Sequence, residues 1–142
     1  MLLRMLWGAR YSLFTGGIAI LLALCAGGIL GALSGYYGGT ADTIIMRAMD
    51  VLLAIPSMLL ATAIVAALGT SLWNVMIAIA IAYIPTFART VRAAVLTVKD
   101  QEFIEAARSI GCNNNAIIFQ YIIPNALAPI IVQATLLSLI HI

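Results

Sequence analysis

The ionisable chemistry of this sequence is sparse: five carboxylates, seven lysines and arginines, two cysteines and one histidine in 142 residues. No nucleophile is patterned with a base, and no two acids are placed as a general acid–base pair. The single imidazole, His141, stands at the far end of the chain and is assigned no role. Cys25 falls in an apolar run and Cys112 in a polar connection, neither with a CxxC neighbour or a His–Cys cluster. Two free thiols are expected, with no metal site, no cofactor and no catalytic residue. What remains is a concentration of charge between Val91 and Ile123, where Arg92, Lys99, Asp100, Glu102, Glu105 and Arg108 lie. No catalytic pattern links these side chains.

Within that segment, Asp100-Gln101-Glu102 makes a good helix opening, with an N-cap candidate and acidic residues at the positive end of the helix dipole. The spacing of Phe103, Ile104, Ala107 and Ile110 sets them on one helical face, and Glu105 can pair with Arg108 at i,i+3. Gly111 is placed to end this helix, and Asn113 or Asn114 to cap a second one running to Pro124. The segment therefore reads as a short amphipathic helix, a glycine elbow and another helix. It is either a solvated loop on the membrane surface or a rigid lever presented to a cytosolic partner.

The elements that hold this segment are apolar. Hydrophobic residues make up 64% of the chain, charged residues 8%, and the mean hydropathy is +1.13. An ordinary soluble domain carries about 25% charged residues, so lipid is the expected solvent. A net charge of +2 provides no broad basic field for nucleic acid. Spans are expected at about residues 13–33, 44–68, 72–91 and 124–142, with a cytoplasmic connection at about 92–123, all within one partial transmembrane domain over residues 1–142. Backbone groups in lipid must pair within their own segment, and the runs lack the alternation of a barrel strand. The predicted fold is an all-α, polytopic transmembrane helix bundle. Arg4 and Arg10 before the run from Gly16 to Leu33 look like a signal peptide, but that run is long enough to span.

Gly35 to Thr40 is expected to form a turn with Tyr36 and Tyr37 at the headgroup level, and Gly69-Thr70-Ser71 a tight reversal beside Trp73. Arg47, Arg89, Arg92, Lys99 and Arg108 fall on one side of the membrane, and Arg4 and Arg10 on the other. The excess of positive charge puts the long connection in the cytoplasm and the N-terminus outside, which suggests a missing helix upstream. Gly27, Gly31 and Gly35 share one face of the first span and are expected to let another helix approach closely, from this chain or from another subunit. Pro56, Pro85 and Pro124 are expected to kink their helices. No ionisable residue lies deep in a span, so the membrane-buried carboxylate of an ion-coupled carrier is not found.

Glu105-Ala106-Ala107, Gly111 four residues after Ala107, and Tyr121-Ile122-Ile123-Pro124 together resemble the cytoplasmic EAA loop of binding-protein-dependent ABC importer permeases. The family pattern ends in Ile-x-Leu-Pro, so Tyr121 and Ile123 depart from it while staying apolar. Gly8 to Leu13, Gly35 to Gly39, Met46 to Asp50 and Pro124 to Pro129 are similar to the dipeptide, oligopeptide and nickel branch, and the resemblance covers about Leu6 to Thr135. It implies a type I importer permease fold, of which about four of six spans are present, in a bacterial or archaeal inner membrane. It also implies cytosolic ATPase subunits, a second permease subunit and an extracytoplasmic solute-binding protein as partners. Glu105, Ala106, Ala107 and Gly111 would couple to the ATPase, with Phe103 and Ile104 giving docking area. Ser138 to Ile142 does not look like the family's continuation, so an artificial end is expected. The alternative is a non-transporting scaffold or permease remnant that recruits a cytosolic partner.

Overall fold

A computed structural model describes residues 1–140; His141, and with it the last two residues of the fourth expected span, lies outside the described residues. The described chain is helical with short breaks. Helix α1 (Leu2–Tyr37) is far longer than the ~20 residues a span requires. It starts well before the expected position 13, because nothing from Leu2 onward breaks a helix. Gly38 ends it, donating its N–H to the Ser34 carbonyl at 3.1 Å. Gly38 and Gly39 both adopt positive φ, at 62° and 58°, conformations that a side chain would strain. The expected turn is thus these two glycines alone, and Tyr36 belongs to α1.

Helices α2 (Gly39–Ala54) and α3 (Ser57–Leu68) meet at an 87° bend. Pro56 accounts for the break, since the residue before a proline is held in extended geometry, and Ile55 has φ −95° and ψ 127°. At Gly69 (φ 100°) α3 ends, and α4 (Leu72–Val98) follows. Asn74 joins the two. Its backbone N–H donates to Ser71 Oγ at 3.3 Å, while its side-chain amide donates to the Leu68 carbonyl at 2.7 Å. Pro85 lies inside α4, which runs on without a break to Val98, seven residues past the expected boundary at 91.

After α4 come α5 (Glu102–Ser109), α6 (Asn114–Ala116), a π-helical stretch (Ile117–Ile122), α7 (Ile123–Asn125) and α8 (Leu127–Ile140). The widened turns precede Pro124, whose ring would crowd the carbonyl four residues back in an α-helix. A 63° bend separates α8 from the helical run before it. Among the described residues two helices, α1 and α4, are long and apolar enough to cross a membrane, or up to four candidate spans if each bent pair counts as one.

The centre of the bundle is the α1–α4 pair. A Cβ placed at Gly27 would lie 2.6 Å from the Ile84 carbonyl oxygen and 2.8 Å from Phe87 Cβ. At Gly31 it would run into the Ala88 carbonyl oxygen, and at Gly35 it would lie 3.0 Å from Val95 Cβ. The glycine face therefore admits α4 of the same chain, backbone against backbone. In lipid, packing of this kind drives helix association.

Candidate functional site: the charged connection and its elbow

Helix α5 takes shape where α4 gives out at Lys99. Its N-cap is Gln101, not Asp100, and makes no side-chain capping bond. Glu102 and Glu105 occupy its first turn and Arg108 its last, which complements the helix dipole at both ends. The other end is a complete glycine cap. The Cys112 N–H donates to the Ala107 carbonyl at 3.2 Å and the Gly111 N–H to the Arg108 carbonyl at 3.1 Å. Gly111 itself has φ 87°. This is the Schellman arrangement, and Cys112 adds an apolar contact by packing into the cluster that holds Ala107.

The cap fixes which residues face inward. Ile104 is 0% exposed and Ala107 4%, both packed in a core cluster with Val95 and Val98 of α4 and Ile117 of the π-helical stretch. Glu105 and Ala106 are exposed, Phe103 is 37% exposed and Ile110 79%. The structure thus divides the expected apolar face. Ile104 and Ala107 anchor the helix to its own bundle. A fully buried Ile104 offers no area to a partner, and the outward surface includes Glu105, Ala106, Phe103 and Ile110. The expected Glu105–Arg108 pair is absent from the ion pairs of the described residues. Arg108 instead lies over the ring of Tyr36, 5.4 Å from its centroid.

Sequence reasoning missed three partners of this site. The Tyr36 hydroxyl donates to Asn114 Oδ1 at 2.9 Å. Asp42 accepts from Arg92 twice, from Nε at 2.6 Å and from Nη2 at 2.7 Å, and also from the Ser34 hydroxyl. Arg89 pairs with Asp50. Together Asp42, Arg47, Asp50, Arg89 and Arg92 line an open cleft of about 500 Å³ between α2 and α4. The available signal was that opposite charges cluster at neighbouring span ends, where an unpaired charge is costly.

The prolines behave differently from one another. Pro56 coincides with the 87° bend, Pro85 lies in unbroken helix, and Pro124 lies two residues before the 63° bend.

Residues 27–141 match the family model described as binding-protein-dependent transport system inner membrane component. The chain belongs to that family. Among curated relatives of this inner membrane component, the dipeptide transport system permease protein DppC of Alkalihalophilus pseudofirmus is 53% identical over 133 residues, covering 94% of this chain and 44% of the relative. The glutathione transport system permease protein GsiD of Pectobacterium atrosepticum is 47% identical over 129 residues, covering 91% and 43%. DppC of Haemophilus influenzae is 43% identical over 133 residues, covering 94% and 45%. The chain spans less than half the length of these inner membrane components. Its all-α fold and its inner-membrane location are those of the family.

Proposed function

We propose that this chain forms part of the membrane pathway of an ATP-driven importer of small peptides, with a cytosolic ATPase docking on α5 and the Gly111 elbow. The observation that carries this reading is the division of α5 by its glycine cap. Ile104 and Ala107 hold the helix rigidly to the bundle, leaving Glu105, Ala106, Phe103 and Ile110 outward on a part of the chain that positive charge places in the cytoplasm. A helix anchored on one face and free on the other can transmit a push. The ATPase would hydrolyse ATP in separate subunits, and a second permease subunit and an extracytoplasmic solute-binding protein would complete the assembly. Small peptides are the favoured substrate class, because the relatives above carry dipeptide and glutathione in their names; nickel is second.

The elbow provides the test. A Cβ at Gly111 meets nothing within 4 Å, so a substitution there is opposed by backbone strain alone. Left-handed geometry costs a side chain roughly 1–2 kcal/mol, and asparagine tolerates it best. Gly111→Val should therefore lower recovery of the host's ATPase subunit with affinity-tagged chain by roughly 5- to 30-fold, and Gly111→Asn by much less, with membrane insertion unchanged in both. Full recovery with Gly111→Val sinks the docking reading. ATP-dependent uptake of a labelled dipeptide, after reconstitution with the partner subunits, separates the importer from a scaffold that only recruits a cytosolic protein.

A further inference from the structure

Tyr36 stands where the membrane bundle ends and the charged connection begins. The residue before it, Gly35, is pressed against Val95 of α4. The main chain of Tyr36 is therefore fixed to the α1–α4 pair. Its side chain is buried, at 9% exposure, and reaches two residues that are 72 and 78 positions away in the sequence. Arg108, three residues before Gly111, lies over the ring at 5.4 Å. Asn114, three residues after Gly111, accepts the hydroxyl proton at 2.9 Å. One phenol thus holds both arms of the elbow. Tyr37 packs edge-on against it, with ring centroids 5.1 Å apart.

Gly111 is the point in this segment where the chain turns most freely, since it is a positive-φ glycine with open space around it. Ile104 and Ala107 tie α5 to α4, but without a strut the arm beyond Gly111 would lag behind a push on α5. A strut across the joint makes the two arms move together and passes the displacement to α1. We propose that Tyr36 is a positioning residue for coupling, converting motion of α5 into motion of the first span. This rests on the docking reading above, with α5 as the element that the ATPase moves. The Ser34–Asp42–Arg92 network binds the same end of α1 to α2 and α4, so displacement delivered at Tyr36 reaches three helices.

The test uses the chain assembled with its ATPase, partner permease and binding protein in nanodiscs, and reads peptide transported per ATP hydrolysed. Tyr36→Phe keeps the ring under Arg108 and removes only the bond to Asn114. It should lower the ratio by roughly two- to tenfold, the worth of one hydrogen bond. Tyr36→Leu removes both contacts and should lower the ratio further, with ATPase recovery at the wild-type level in both variants. A merely structural role would reduce the amount of folded protein and leave the ratio alone. An unchanged ratio in Tyr36→Phe, with normal ATPase recovery, overturns the role of Tyr36 and spares the docking reading. Failure to recover ATPase with the unsubstituted chain removes both.

Discussion

Asp42 illustrates how much one carboxylate can organise at the edge of a bilayer. It receives two charge-assisted bonds from the Arg92 guanidinium and a third from Ser34, bringing the ends of α1, α2 and α4 together. Charge-assisted bonds contribute about 1.5–3 kcal/mol each way they are broken. Asp42→Asn should therefore lower unfolding stability in detergent by about that much, and Ser34→Ala by about 0.5–1.5 kcal/mol. A double-mutant cycle of Asp42→Asn with Arg92→Gln isolates the pair; simple additivity would show that it contributes nothing. The charges and their place near span ends were legible in the sequence. Their pairing was not, because partners 50 residues apart carry no local periodicity. The same limit concealed the bond from Tyr36 to Asn114, whereas the role of Gly111 as a helix stop could be read from its position alone.

Among the helices, the glycine face of α1 was the clearest long-range signal, since a repeat of four residues needs only helical geometry to define a stripe. The identity of the partner was not visible. Ala88 and Val91 of α4 are ordinary membrane residues, and only the fold shows that they meet Gly31. Gly31→Ala should destabilise the bundle by about 1–3 kcal/mol, because the new methyl meets backbone that cannot yield. Gly28→Ala is the control, with nothing within 4 Å of its Cβ, and should be neutral or stabilising by up to about 1 kcal/mol. Equal effects at the two positions would refute the close packing of α1 on α4. The prolines show where sequence reasoning loses resolution. Pro56 breaks its helix while Pro85 is buried inside one that continues, and the residue type alone does not distinguish these environments.

At the level of the whole molecule, hydropathy marks four apolar regions, and the described residues hold two long helices and two bent pairs. The boundaries shifted where helix-compatible residues ran past the apolar core, as in residues 92–98 of α4. Charge asymmetry predicts the α3–α4 turn outside and α5 in the cytoplasm. In a background without Cys25 and Cys112, Ser71→Cys should react with a membrane-impermeant maleimide in intact cells. Ser109→Cys should react only after permeabilisation. The reverse pattern would invert the molecule and place the proposed docking surface on the wrong side of the membrane.

The pairing of α1 and α2 with α4 also imposes an order on biogenesis. Asp42 is synthesised 50 residues before Arg92, and Asp50 39 residues before Arg89. At about 5–20 residues per second, those intervals last roughly 2–10 seconds. Throughout that time the glycine stripe of α1 lacks α4, and Asp42 and Asp50 lack Arg92 and Arg89. The α1–α4 packing and both ion pairs therefore wait on the emergence of α4 from the ribosome.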